Sequence, residues 1–215
     1  LNSIDDGYAA LRRRLQLEQA WPLSPNWSAA ADFLDLLADH CLQENPKCIV
    51  ECSSGLTTLV LARCCQINGT GRVWSLENGP EYAQRTRRAL RFYGLDQYAS
   101  VIDAPLSSVT LPRGIFQWYA IGGLPDRSID MLVVDGPPGF IQPHSRYPAL
   151  PLLGKKLAAG CHVFLDDAAR DDEQELAGWW RDENPGLDVR YIDNERGCLV
   201  ARLLSATENT EDTEE

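Results

Sequence analysis

Five apolar runs of this chain end in a carboxylate: Cys48 to Glu51, Arg72 to Glu77, Ser100 to Asp103, Asp130 to Asp135 and Cys161 to Asp166. Short continuous apolar runs read as strands of a sheet covered on both faces. One acid at a strand end is an ordinary helix cap. Five in succession are more than capping explains: they line up carboxylates outside the strand ends of a parallel sheet, where such sheets bind ligands. Carboxylates there accept hydrogen bonds from ribose hydroxyls or an adenine amino group, or hold a cation.

The turn after the first acid, Ser53-Ser54-Gly55, leads straight into a helical pattern. Small residues let a ligand approach the backbone, and the first N–H groups of a helix bind carboxylate or phosphate. Glu77 follows Gly55 by 22 residues, the placement of an acid that holds ribose hydroxyls. An adenosyl cofactor and a nicotinamide dinucleotide both fit this far. The missing GxGxxG, which seats a pyrophosphate, favours the adenosyl cofactor. So does Asp103-Ala104, which offers a carboxylate to an adenine amino group and a backbone N–H to the ring.

The elements that position these residues alternate. Residues 5–20 form a charged amphipathic helix, and Ser28 opens a second helix that stops before Pro46. Helices follow at 56–67, from Pro80 to Gly94, at about 147–158 and at about 171–184. Residues 187–203 read as a hairpin around Asn194 to Gly197. The class is therefore α/β: a doubly wound, mostly parallel seven-stranded sheet with an antiparallel C-terminal hairpin and N-terminal helices. Residues 1–45 are expected to pack on or cover the site, 46–204 to form the main domain, and 205–215 to be a disordered acidic tail. Residues 105–129 show no clear period and read as a functional loop or irregular insertion.

Composition narrows the partners. The chain has 215 residues with 20 basic and 31 acidic side chains, net −11. Five acids fall in residues 207–215, so the remainder carries 20 basic against 26 acidic groups. A body of that sign has no general attraction to nucleic acid or anionic lipid, so neither is expected as a partner. Arg85, Arg87, Arg88 and Arg91 read as a solvated helix face. The seven cysteines form no CxxC pair and read as reduced core residues, which implies a cytoplasmic setting. There is no signal-peptide pattern and no apolar run of the ~18 residues that span a bilayer.

From about Trp27 to Gly186 the chain resembles class I S-adenosylmethionine-dependent methyltransferases, in the branch related to catechol-type O-methyltransferases, which have a Rossmann-like fold. Val50 to Leu59 resembles the first motif, Trp74 to Glu77 the second and Val101 to Ala104 the adenine motif. Ile129 to Gly136 resembles the fourth motif, and Val163 to Asp167 the fifth. The resemblance implies that Glu51, Ser53 and Gly55 line the methionine part of S-adenosylmethionine and that Thr57 bonds its carboxylate. Glu77 then holds the ribose, with Asn78 beside the adenine, Asp103 and Ala104 read the adenine edge, and Asp135 lies beneath the sulfonium. Ser53 departs from the family's usual glycine.

The resemblance also places Asp135, Asp166 and Asp167 as ligands of a divalent cation. Independently, carboxylates at the ends of neighbouring strands repel unless one protonates or a cation joins them, and an all-oxygen site suits Mg²⁺. The alternative is that Asp167 caps the next helix and Asp166 bonds backbone. The family's catalytic lysine position is Pro138 here, so a base must come from elsewhere: Asp135 and His144 are the catalytic candidates. Trp21, Trp27, Trp118 and Tyr119 are candidates for an aromatic rim, and Trp179 and Trp180 for packing. The expected reaction is methylation of an oxygen on a small-molecule acceptor, and a homodimer is compatible with the sequence. The competing readings are a dinucleotide-dependent reductase and a non-catalytic protein that keeps the fold for partner binding.

Overall fold

A computed structural model describes residues 3–17, 19–24 and 27–203; the expected acidic tail lies outside the described residues. Helices α1 (Ser3–Arg14) and α2 (Ala31–Glu44) precede strand β1 (Cys48–Cys52). Then come α3 (Leu56–Asn68), β2 (Arg72–Glu77), α4 (Pro80–Phe92) and β3 (Ala99–Asp103). The pair β4 (Leu106–Leu111) and β5 (Gly114–Tyr119) comes before β6 (Ile129–Val134), α5 (Ala149–Leu153) and β7 (Leu157–Leu165). The chain closes through α6 (Asp171–Glu183), β8 (Leu187–Ile192) and β9 (Cys198–Leu203).

Seven strands form one sheet in the order β3-β2-β1-β6-β7-β9-β8. The pairs from β3 to β7 are parallel, whereas β9 runs antiparallel to both β7 and β8. This is the doubly wound sheet with a closing hairpin that the sequence pattern implies. Strand order reverses between β1 and β6, so the loops leaving these two strands diverge and open a crevice at their carboxyl ends.

The pleat of β1 sorts its side chains between two cores. Ile49 joins the core under α1 to α4, and Cys48, Val50 and Cys52 join the core under α5, α6 and the β4–β5 pair. All seven cysteines are buried and free.

Three expectations change. Helix α1 ends at Arg14 because Gln16 enters the left-handed region and the Leu17 N–H turns back to the Arg12 carbonyl. The helix expected over 147–158 is confined to Ala149–Leu153 and a 3-10 turn, Gly154–Lys156. Pro148, Pro151 and Gly154 limit its hydrogen bonding. Residues 106–119 form an antiparallel hairpin, with Leu106 opposite Tyr119 and Leu111 opposite Gly114. Its Phe116, Trp118 and Tyr119 are buried in the second core, which offsets the cost of ordering an otherwise polar ribbon.

Candidate functional site

The loop from β1 to α3 forms one wall of the crevice. Ser53 and Gly55 have φ of 144° and 147°, which turns the chain away from the sheet and leaves the start of α3 open. Below the loop, Glu51 is fully buried. Its Oε2 accepts hydrogen bonds from Thr58 Oγ1 at 2.7 Å and Ser75 Oγ at 2.5 Å, while Oε1 has no partner. Burial pushes this carboxyl up to about 7, against the lowering effect of the Ser75 and Thr58 hydroxyls. Glu51 is thus a foundation of the loop rather than a lining residue.

Glu77, at the end of β2, does line the crevice. Its Oε2 accepts from Ser54 Oγ at 2.7 Å and its Oε1 from the Gly79 N–H at 2.9 Å. Two partners fix the carboxylate while leaving lone pairs for a ligand. Burial raises its pKa, opposed by the Gly79 and Ser54 bonds.

The main cleft has a volume of about 760 Å³, within the range of small-molecule sites. One end holds Glu77, Asn78 and Gly79; the middle holds Ser53, Tyr119, Asp135 and Gly136; the far end holds Arg146, Asp167, Arg170 and Arg196. A side pocket of about 60 Å³ shares Ser53, Ser54 and Asp135 with it and reaches Gly55 and Thr57 at the start of α3. Trp27 (53% exposed), Tyr82 and Phe140 (80% exposed) form an aromatic rim, with Trp27 6.0 Å from Tyr82 and 6.1 Å from Phe140.

Tyr119 is 3% exposed and reaches the middle of the cleft from the end of β5. Its hydroxyl lies directly over Gly136, where a Cβ would meet it at 2.4 Å. No hydrogen bond to that hydroxyl exists among the described residues. Burial, then the nearby Cys52 and Glu77, raises its pKa, so the phenol stays protonated and able to donate.

Several sequence-based assignments land elsewhere. Asp103 Oδ1 pairs with Arg87 Nη2 at 2.8 Å, and the Ala104 N–H donates to the Glu77 carbonyl at 2.8 Å. Neither lines the cleft. Arg87 wins the Asp103 carboxylate because α4 lays it alongside β3, where it also donates to the Val101 carbonyl. His144 also stays outside the cleft lining: its Nε2 is 2.9 Å from Glu175 Oε2 and its ring lies 4.3 Å from the Trp179 ring. Trp21 and Trp118 are core residues, as is Trp180, which leaves Trp27 and Tyr119 at the site. The lining also includes Tyr82, Phe140, Arg146, Arg170 and Arg196, which the sequence does not mark as site residues. The small and aromatic residues around Pro137-Pro138 were the available signal for Phe140.

Asp135, Asp166 and Asp167 do come together, each offering an oxygen within 4.8 Å of the others. Burial and then Asp166 hold the Asp135 carboxyl well above the usual range, with Arg146 opposing. Burial and then Asp167 push Asp166 up to about 6. The cluster also contains a buried cation. Arg146 Nη2 donates to Asp167 Oδ2 at 2.7 Å and to the Asp135 carbonyl at 3.0 Å, and its Nη1 donates to the Asp166 carbonyl at 2.8 Å. Arg170 Nη1 adds a second contact to Asp167 Oδ2 at 3.0 Å. Only Asp166 keeps two oxygens without partners. This arrangement seats a guanidinium against two of the three carboxylates.

Residues 50–168 match a family described as methyltransferase domain. No curated protein sequence matches the chain. Among solved structures, the fold is similar to an S-adenosylhomocysteine-bound Podospora anserina methyltransferase, PaMTH1 (16% identity, 93% of this chain and 88% of that one, TM-score 0.65). It is also similar to the O-methyltransferase TomG from Streptomyces achromogenes in complex with S-adenosylmethionine (14%, 95% and 91%, 0.63). A Bacillus cereus O-methyltransferase in complex with S-adenosylhomocysteine gives 15%, 93% and 91%, and 0.61.

Proposed function

Because the chain belongs to the methyltransferase-domain family, we propose that it transfers a methyl group from S-adenosylmethionine to a hydroxyl oxygen of a small acceptor. The carrying observation is the Glu77 carboxylate, fixed by Ser54 and Gly79 at one end of a cleft that runs without interruption to Asp135. A carboxylate so placed accepts two ribose hydroxyls. Thr57 and the first amides of α3 then receive the ligand carboxylate in the side pocket, where the helix terminus favours negative charge. The segment before residue 45 covers this end through Trp27. The ligands held by the fold's solved relatives support the same reading.

Bound S-adenosylmethionine supplies an electrophilic methyl group; the acceptor oxygen forms the new C–O bond as the C–S bond breaks, and a proton leaves. Asp135 takes that proton. Its elevated proton affinity makes it a stronger base than an exposed carboxylate, and turnover therefore rises as pH climbs through its pKa. The cleft walls contribute by alignment, since fixing donor and acceptor in line removes much of the barrier. Without the family's lysine and with His144 engaged elsewhere, no other described side chain of the cleft centre serves as base. No step passes through a divalent cation.

Calorimetry with S-adenosylmethionine, S-adenosylhomocysteine and NAD tests the reading. Micromolar binding of the adenosyl pair, none of NAD, and a loss of about 10- to 100-fold in Glu77→Ala are expected, the worth of a charge-assisted bond pair. Folded protein that binds neither adenosyl ligand overturns it.

A further inference from the structure

We infer that Arg146 is the resident cation of the strand-end carboxylates, standing where a divalent ion would otherwise join them, and that the acceptor therefore needs one hydroxyl rather than two adjacent oxygens. The second half rests on the proposed transfer reaction; the first stands on the geometry alone.

The guanidinium is 3% exposed. Its two terminal nitrogens bridge the last carbonyls of neighbouring strands, Asp135 after β6 and Asp166 after β7. That main-chain fork fixes the plane of the group before any carboxylate is considered. In this plane Nη2 lies 2.7 Å from Asp167 Oδ2 and 3.4 Å from Asp135 Oδ1, and Nη1 lies 3.7 Å from Glu173 Oε1. A bound Mg²⁺ needs oxygens at about 2.1 Å in near-octahedral array. Nη2 contacts one oxygen of each of two side chains that would supply them, Asp135 Oδ1 and Asp167 Oδ2. Asp167 Oδ2 is further used by Arg170, so it accepts from two guanidiniums at once. Asp166 gives Arg146 its carbonyl only, and both its carboxylate oxygens are buried without partners.

Asp135, Asp167 and Glu173 face Arg146 and Arg170, while Asp166 meets Arg146 only through its carbonyl. An arginine does not lose its proton under any condition in which the protein is folded, so this cation cannot leave as a metal does. It is also diffuse. A guanidinium orients Asp135 at the cleft but does not clamp two acceptor oxygens or acidify a hydroxyl as a bound dication does. Arg146 is accordingly a positioning residue.

Electron paramagnetic resonance with Mn²⁺, and melting curves with Mg²⁺, Ca²⁺ and EDTA, test this on the full chain with and without S-adenosylhomocysteine. The wild type is expected to leave Mn²⁺ free at micromolar concentration and to melt at the same temperature in all conditions. Arg146→Met leaves the carboxylates uncompensated; it is expected to bind Mn²⁺ at least about tenfold more tightly and to gain a metal-dependent melting temperature. Arg146→Lys, which keeps the charge, is expected to remain metal-independent. Stoichiometric micromolar Mn²⁺ binding by the wild type, abolished by Asp167→Asn, overturns the inference even if Arg146→Met fails to fold. That outcome leaves methyl transfer intact, whereas failure to bind S-adenosylhomocysteine sinks the transfer reading and leaves the Mn²⁺ result standing.

Discussion

Glu51→Gln replaces the buried carboxyl beneath the β1–α3 loop by an amide of nearly the same shape. The carboxyl has a pKa near 4.5 when exposed and about 7 in the fold. The folded state thus binds the proton more tightly, and stability falls as pH rises from 4.5 through 7. Linkage gives a cost of about 1 kcal/mol at about pH 5 and about 3 kcal/mol at about pH 8. Glutamine keeps an acceptor for Thr58 and Ser75, and its amide nitrogen replaces an oxygen that already lacks a partner. Whatever that exchange costs is independent of pH. The stability difference between variant and wild type should therefore move by about 2 kcal/mol in the variant's favour between those two pH values. Urea denaturation followed by tryptophan fluorescence, without cofactor, measures it. A difference that stays constant with pH would refute the argument, because the hydroxyls of Thr58 and Ser75 would then offset burial completely.

Ser53→Gly should stabilise the fold by about 1 kcal/mol, since a serine at a φ of 144° is strained and glycine is not; a loss of stability by chemical denaturation would show that Ser53 is not strained there. Gly136→Ala should cost about 2 kcal/mol and weaken S-adenosylhomocysteine binding about tenfold. The new Cβ would stand 2.4 Å from the Tyr119 hydroxyl and 3.2 Å from the Cys52 carbonyl oxygen, which is backbone and does not give. Adding Tyr119→Phe removes the first clash and should recover part of both losses; a double variant no better than the single one would place the fault in the Cys52 contact alone.

What the sequence makes legible is whatever depends on runs and ends. Continuous apolar stretches such as Met131 to Val134 have one placement in an α/β chain, in the middle of a parallel sheet, and the acids that follow them then share one edge. Glu77 and Asp135, two such acids, both line the cleft. The hairpin over 106–119 is illegible because only one face is buried: Ser107 and Ser108 dilute the alternation, and Phe116 and Trp118 find their core only after the sheet exists. Asp103 shows what local sequence leaves out. Its type and position suit adenine, but nothing local says that Arg87 will reach it first. Arg146 is the extreme case, since its partners are two carbonyls at the tips of separate strands and a carboxylate 21 residues away. A loop arginine gives no sign of burial until tertiary packing closes around it.

The contact between Trp27 and Phe140 has a kinetic meaning. The two residues come from opposite walls of the cleft and meet at its mouth while largely exposed to water. An aromatic pair contributes about 1 kcal/mol beyond its buried area, little more than thermal energy. The floor beneath is built differently, from loops leaving two hydrogen-bonded strands in the centre of the sheet, with the Asp135 N–H bonded to the Cys52 carbonyl at 3.2 Å. Ring contact at the mouth can therefore break and reform many times during one residence of a ligand without disturbing the alignment below. Traffic and alignment are assigned to different parts of the molecule, and substitutions at the rim can alter which acceptors enter without touching the atoms that orient them.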